Sequence, residues 1–232
     1  MIFIYTATDF EHRMAQQIIY DNKLSDKVIV ADNPCGMGAA AAKKAIEDII
    51  QSNNRITQIV SFGFAGSLSY QCPRGSVVTA NSVTFEGLSY ELVPSTVELG
   101  VECVAVASID FVYHADLLPL PSTIMTSFQA DSKLAICVDM ETGPLAKTAA
   151  KFGLKVLFLR LVSDDPDRPL PRFIALPSNL TKTNQRSKKI RLFVETIRHV
   201  VSDLVFGLAS LPSGRRHIQN YKYIIGQQLR SL

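Results

Sequence analysis

Apolar runs of strand length alternate along this chain with stretches of helical period, and the alternation sets the expected architecture. Met1 to Tyr5 is a short apolar run that predicts a strand, Thr6 to Asp9 a polar turn, and Phe10, Met14 and Ile18 recur at helical spacing up to Tyr20. Lys27 to Ala31 predicts a second strand, Pro34 to Gly38 a turn, and Ala39 to Gln51 a helix. Ile56 to Ser61 predicts a buried strand that empties into a glycine-bearing turn carrying Gly63, Phe64, Ala65 and Gly66. After the Pro73 to Gly75 turn come a strand at Ser76 to Val83, a polar excursion at Thr84 to Gly100 with Phe85 and Tyr90, and more strand pattern at Val101 to Val112 and Thr123 to Phe128. Val138 to Pro171 is the organising stretch. It opens on a Val-Asp-Met-Glu turn, continues as an Ala/Leu-spaced helix, and becomes the apolar run Val156 to Val162, ending on Ser163, Asp164 and Asp165. Arg172 to Ser187 then reads as a loop able to cover a site. Lys188 to Leu208 reads as a helix whose apolar face closes the core, and Arg215 to Leu232 as an appended basic amphipathic helix. Strands alternating with helices imply a mostly parallel α/β sandwich.

Composition narrows this without naming a function. At 232 residues the chain suits one domain, here 1–211 with the basic tail 212–232, and 47% hydrophobic with 19% charged residues is ordinary for a buried sheet. A formal charge of +3 is too small to argue for nucleic acid. Cys35, Cys72, Cys103 and Cys137 stand alone, with no C-x-x-C and no nearby histidine, so the expectation is free thiols and no metal. Neither a signal-peptide pattern nor an apolar run of about 18 residues is present, and a soluble, cytoplasmic protein is expected.

The candidate chemistry rests on carboxylates. In an open α/β sheet the ligand crevice lies outside the carboxyl ends of the parallel strands, so Glu141, at a helix start, and Asp164, past a buried strand, can face one small molecule. Glu11 lies in the first turn of the first helix, where the helix dipole alone favours an acidic residue. His12 and Arg13 beside it read as surface residues, with Arg13 able to meet an anion, and His114 reads as a surface or satisfied histidine. Gly36-x-Gly38-x-x-Ala41 matches a loose dinucleotide pattern, yet the next strand ends in Ser61-Phe62-Gly63 without the acidic residue that would hold a ribose. These glycines therefore read as a tight turn bringing backbone close to a ligand or neighbouring strand. The small residues Gly63, Ala65 and Gly66 either let backbone amides approach a bound group or serve a bulge needed only for packing.

SFGFAGSL, PRGSVV, VDMET and RLVSDDPDRPLP, in that order and spacing, resemble the purine nucleoside phosphorylase and methylthioadenosine/S-adenosylhomocysteine nucleosidase superfamily. The S-F-G-x-A-G, D-M-E and S-D-x-x-D-R-x-L-P elements look most like the hopanoid-associated phosphorylases, which release adenine from adenosylhopane. The resemblance covers about residues 1 to 175. It implies a three-layer α/β sandwich around a mixed, mostly parallel central sheet, and cleavage of the N-glycosidic bond of a purine nucleoside. It implies that Met140 packs under the sugar, that Glu141 holds its hydroxyls, that Asp164, oriented by Ser163, protonates purine N7, and that Glu11 is the second catalytic carboxylate. Gly63, Phe64, Ala65 and Gly66 would border the sugar and the nucleophile, and Phe128 would stack on the base. Asp165 and Asp167 are either neighbours that raise the Asp164 pKa or caps of the following turn.

The same resemblance implies no cofactor beyond inorganic phosphate as co-substrate, no metal, and a homodimer. A lipid-linked substrate would bring peripheral contact with the inner membrane through the tail. Two departures stand out: Phe64 replaces a small hydroxyl residue of the nucleosidases, and the segment from Phe128 to Val138 is short. The competing expectations are a methylthioadenosine/S-adenosylhomocysteine nucleosidase or futalosine hydrolase, and a noncatalytic nucleoside-binding protein.

Overall fold

The computed structural model describes residues 1–53, 55–68, 70, 72–97, 101–103, 105–108, 136–165 and 212–232. Within these, β1 (Ile2–Tyr5), α1 (Asp9–Asp21), β2 (Val28–Val30), α2 (Ala39–Ser52) and β3 (Gln58–Ser67) open the chain. They are followed by β4 (Val77–Ala80), β5 (Ser82–Phe85), β6 (Leu88–Glu91), β7 (Val101–Cys103), β8 (Ala105–Ser108) and β9 (Ile136–Asp139). The chain closes with α3 (Thr142–Ala150), β10 (Lys155–Asp164) and α4 (Pro212–Ser231).

All described strands join one mixed sheet, in the order β6-β5-β8-β9-β3-β10-β4-β7, with β1 and β2 added beside β3. Parallel pairs dominate: β1 with β2 and β3, β3 with β10, β4 with β7, and β8 with β5 and β9. Side chains alternate between the two faces of each strand, and the two core clusters follow that alternation. Ile2, Ile4, Val60, Phe62, Leu157, Leu159 and Leu161 pack with Met14, Ala15 and Ile18 of α1 and with Tyr221, Ile225 and Leu229 of α4. Phe3, Tyr5, Ile59, Val156, Phe158 and Val162 pack with Ala42 and Ile46 of α2 and with Leu145, Ala146 and Ala149 of α3. The result is the expected sandwich: helices, a mixed and mostly parallel sheet, helices.

Several local expectations are corrected. Gly63 to Gly66 is no turn: β3 runs straight through it, because β10 pairs alongside from Gln58↔Lys155 to Gly66↔Asp164. A strand this long supplies ladder partners for the small residues, and their size serves close approach instead. For the same reason Asp164 is the last residue of β10 and lies within the strand. The strand expected at Ser76 to Val83 is two, β4 and β5, divided at Asn81, and the polar excursion after it holds the β5–β6 hairpin. Glu86 and Gly87 form its two-residue loop with φ of 51° and 76°, and positive φ at both central positions matches the twist of the flanking strands. The expected strand at Thr123 to Phe128, loop at Arg172 to Ser187 and helix at Lys188 to Leu208 lie outside the described residues, as do His114 and Asp167.

The C-terminal helix is part of the described core. Tyr221, Ile225 and Leu229 are fully buried, while Tyr223 is 65% exposed. The Gln228 side-chain carbonyl accepts from Ser95 Oγ (2.7 Å) and from the amides of Thr96 (2.9 Å) and Val97 (3.1 Å), fixing the far end of α4 to the loop after β6. An Ile225→Ala variant should lose about 2–5 kcal/mol of stability through the cavity left behind. Urea unfolding checks this, with the midpoint falling and the slope unchanged.

Candidate active site

The neighbours of β3 change part-way along it, and the site lies at the change. β1 pairs with β3 only as far as Tyr5↔Ser61, and β9 joins the same side at Gly66 and Ser67. Between them the Phe64 amide has no strand partner on that side; it donates to Glu11 Oε1 at 3.2 Å. Glu11 arrives there because α1 begins with a capping box. Thr8 Oγ1 accepts from the Glu11 amide (3.3 Å), and Glu11 Oε2 accepts from the Thr8 amide (2.9 Å), the Ala7 amide (2.9 Å) and the Thr8 hydroxyl (3.1 Å). Gly63, with φ of 137°, is required at this point: a Cβ there would lie 2.0 Å from Glu11 Oε1.

On the other face, β10 puts Arg160 where its neighbours Phe158 and Val162 are core residues. The guanidinium is 2% exposed. Its Nη2 lies 3.0 Å from Asp139 Oδ2 and donates to Ser61 Oγ at 2.8 Å; its Nη1 donates to the Phe64 carbonyl at 2.8 Å and lies 3.3 Å from Glu141 Oε2. Asp139 accepts from the Thr142 amide (3.1 Å to Oδ2) and from the Thr142 hydroxyl at the start of α3, and Thr142 Oγ1 lies 2.7 Å from Ser61 Oγ. The other oxygen of Glu141 accepts from the Gly38 amide at 3.1 Å, and Tyr5 donates to the Gly36 carbonyl. The Gly36 to Gly38 turn thus brings backbone up to a site carboxylate, which is the work its glycines promised.

Ser163 and Asp164 complete the row. Ser163 Oγ lies 2.6 Å from Asp164 Oδ1 and 3.3 Å from the Ala65 carbonyl, and a register shift between Val162 and Asp164 brings Asp164 beside Gly66. A Cβ on Gly66 would come within 2.9 Å of Asp164 Oδ2, so this glycine too is there for close approach. Asp165 Oδ2 accepts from the Arg74 amide at 2.8 Å, in the Pro73 to Gly75 turn. Every residue from Gly63 to Gly66 therefore touches a group that bears on the site: Glu11 at Gly63 and Phe64, Arg160 at Phe64, Ser163 at Ala65, Asp164 at Gly66. Met140 is half-buried between Asp139 and Glu141. Phe128 lies outside the described residues. His12, expected at the surface, is buried, with Nδ1 3.3 Å from Thr6 Oγ1; Arg13 is exposed. α1 packs His12 against the end of β1, and its lowered pKa follows from that burial.

Sequence reasoning passed over Arg160, Ser61, Thr142 and Tyr221, and read Asp139 only as part of D-M-E. An arginine inside the run Val156 to Val162 was the available signal, since an unpaired cation is almost never fully buried. T-x-x-E at Thr8 to Glu11 was the second, a capping-box pattern that fixes where the Glu11 side chain turns.

Burial sets the protonation of the cluster. Removal from water raises the Glu11 pKa, against the lowering effect of Arg160 and of the donors at Thr8 and Ala7. Glu141 is pushed up to about 7, first by burial and then by Asp139 and Glu11, with Arg160 and the Gly38 amide opposing. For Arg160, burial works against the charge, but Asp139, Glu141 and Glu11 outweigh it, and the guanidinium is held more firmly charged than usual. Glu141 thus changes charge near neutrality while its cation does not.

The fold is that of the nucleoside phosphorylases and nucleosidases. The Phosphorylase superfamily model matches residues 101–198. No curated protein matches the chain. The MTA/SAH nucleosidase of Streptococcus pneumoniae, solved with 8-aminoadenine, is 16% identical over 100% of this chain and 99% of its own, with a TM-score of 0.60. The 5'-methylthioadenosine/S-adenosylhomocysteine nucleosidase of Neisseria meningitidis, solved with methylthio-immucillin-A, is 15% identical over 100% and 99%, with a TM-score of 0.61. A futalosine hydrolase mutant of Helicobacter pylori is 16% identical over 70% of this chain and 88% of its own, with a TM-score of 0.51.

Replacing Arg160 by Met leaves Asp139 and Glu141 buried without their cation, and should cost about 3–5 kcal/mol at pH 8. The loss should shrink at pH 5. A buried carboxyl whose folded pKa exceeds its usual 4.5 stabilises the fold fully below that value, and the contribution fades as pH rises through the folded pKa. Arg160 opposes the rise at Glu141, so its loss widens that window, and urea unfolding at the two pH values should show the larger deficit at pH 8.

Proposed function

We propose that this chain cleaves the N-glycosidic bond of a purine nucleoside, with water as the nucleophile. The observation that carries the reading is the row Gly63 to Gly66, one strand segment against which Glu11, Arg160 with Glu141, and Ser163 with Asp164 all converge. Glycosidic cleavage builds positive charge on the sugar and negative charge on the base, so it needs carboxylate near the ribose and a proton at the leaving purine. Glu141 holds the ribose hydroxyls, with Met140 under the sugar. Glu11, its pKa raised by burial, takes a proton from the water attacking C1′. The C1′–N9 electron pair leaves with the base as Asp164, oriented by Ser163, gives its proton to N7, and neutral base departs. The solved relatives bound to 8-aminoadenine and methylthio-immucillin-A support an adenine nucleoside as substrate.

Water is favoured over phosphate by what surrounds Glu11. The Gly63 and Phe64 amides that could cradle an oxyanion are committed, to the Tyr221 hydroxyl (3.1 Å) and to Glu11. Among the described residues the buried cation is Arg160, already matched by Asp139 and Glu141. Phe10 and Phe64 stand beside Glu11 with ring centroids 6.0 Å apart. That pair also motivates a second reading, a lipid-linked adenosine such as adenosylhopane, because two half-buried aromatic rings suit an apolar 5′ substituent.

Adenine release from methylthioadenosine and from adenosylhopane, each with and without phosphate, tests both readings. Release from methylthioadenosine without phosphate, with free sugar as co-product, is the expected result, and release from adenosylhopane alone would select the lipid-linked substrate. A sugar 1-phosphate product would overturn hydrolysis, and adenine binding without release from either would favour the noncatalytic binder. Asp164→Asn should lower turnover about 10²- to 10⁴-fold while leaving ligand affinity nearly intact. Unchanged turnover would remove Asp164 from the acid role.

A further inference from the structure

Tyr221 is a buried tyrosine that the chemistry above does not use. It reaches the site strand from the layer opposite Arg160. Its hydroxyl donates to the Leu159 carbonyl of β10 at 2.8 Å and accepts from the Gly63 amide of β3 at 3.1 Å, bridging two neighbouring strands. Its ring stacks on Phe62 with centroids 5.2 Å apart and 18° between the planes. The residue is fully buried, so water cannot replace either bond, and a phenylalanine would supply the same stacking without the cost of burying a hydroxyl. The hydroxyl therefore serves the two groups it joins.

One of those groups is Gly63. Its α-carbon lies against the Glu11 carboxylate, and the next amide, Phe64, donates to Glu11 Oε1 at 3.2 Å. Gly63 lies opposite Arg160 of β10, but at φ of 137° it has no side chain to limit its rotation, so the partners of its own peptide help to set its aim. Tyr221 holds the Gly63 amide, and Arg160 holds the Phe64 carbonyl at 2.8 Å; the Gly63–Phe64 unit is clamped at both ends.

We propose that Tyr221 is a positioning residue for Glu11: from α4, its hydroxyl fixes the Gly63 peptide against that carboxylate and keeps the Phe64 amide aimed at it. The inference rests on the reading of Glu11 as the base. The groups facing Glu11 are Tyr5 from β1, Glu141 at the head of α3, Arg160 from β10 and Tyr221 from α4, with the Ala7 and Thr8 donors at the start of its own helix. An amide donor favours the charged carboxylate, so loosening the Phe64 amide makes Glu11 harder to ionise.

The test is Tyr221→Phe in the full chain, with glutamate labelled at the carboxyl carbon and the Glu11 signal assigned by its loss in Glu11→Gln. The Glu11 titration midpoint should rise by several tenths of a pH unit or more in Y221F, and the acid limb of the kcat profile should move with it while KM stays near the wild-type value. An unchanged Glu11 midpoint, even with lowered stability, would overturn the proposal and leave Tyr221 a purely structural residue. The carboxyl titration needs no substrate, so an enzyme inactive on purine nucleosides would overturn the functional reading and leave this coupling measurable. Should Y221F fail to fold, amide exchange in the wild type decides: slow exchange at Gly63 and Phe64 is expected, and fast exchange at either would overturn the clamp.

Discussion

Among the described residues, one buried cation holds the structure to its site. Arg160 lies inside β10, almost wholly removed from water, and joins Asp139, Glu141, Ser61 and the Phe64 carbonyl. Two charges 4 Å apart attract by about 4 kcal/mol at an effective dielectric of about 20, while stripping water from each ion costs several kcal/mol. Isolated pairs of that kind gain little net stability. Here the guanidinium meets two carboxylates, a hydroxyl and a carbonyl at once, drawn from three elements: Asp139 from β9, Glu141 from the head of α3, Ser61 and Phe64 from β3. The gain is one of placement. Moving any of these elements away would leave buried charge without its partners, so the network ties α3 and β9 to the central strands.

β3 carries the consequence. One of its edges passes from β1 to β9 part-way along, and the interval is closed by a side chain, with Glu11 accepting the amide bond that a strand carbonyl would otherwise take. Glycine at 63 and 66 is then a requirement of approach, since a Cβ at either would collide with a carboxylate oxygen. The two helical layers reach this interval from opposite faces: the heads of α2 and α3 through Gly38 and Glu141 by way of Arg160 of β10, and α4 through Tyr221. Residues more than 150 positions apart in the chain therefore share one peptide group, as the separation of Gly63 from Tyr221 shows.

How much of this was legible in the sequence follows from which interactions are local. Strand and helix positions followed from periodicity, because burial of one face is written into neighbouring residues. Glu11, Glu141 and Asp164 were legible as acidic residues at helix starts or strand ends, and the resemblance gave them roles. The straight course of β3 through Gly63 to Gly66 was not legible, because glycine suits a turn and a close approach equally well and the choice depends on β10, far away in sequence. The fate of Arg160 was half legible: an arginine within an apolar strand must find partners, but the sequence does not say which carboxylates arrive. His12 was misread for a similar reason, since its burial depends on how α1 lies across β1. The tail was half legible: ordinary packing was one reading of its Tyr221, Ile225 and Leu229, but an apolar stripe of that kind suits a membrane surface as well as it suits this sheet.

The charge balance of the cluster bears on the nucleophile. Arg160 is one cation facing Asp139, Glu141 and Glu11, so the described site is short of positive charge once all three are ionised. Such a field favours positive charge developing on a sugar and opposes the approach of a phosphate dianion. A phosphorolytic site would need cations or uncommitted amides beside Glu11, where the described residues place the Phe10–Phe64 ring pair and amides already bonded. Water needs neither. On the proposed hydrolytic reading it needs one carboxylate oxygen with capacity to accept a proton, and Glu11 Oε1, which takes a single long amide bond while Oε2 takes three, is the oxygen that reading assigns.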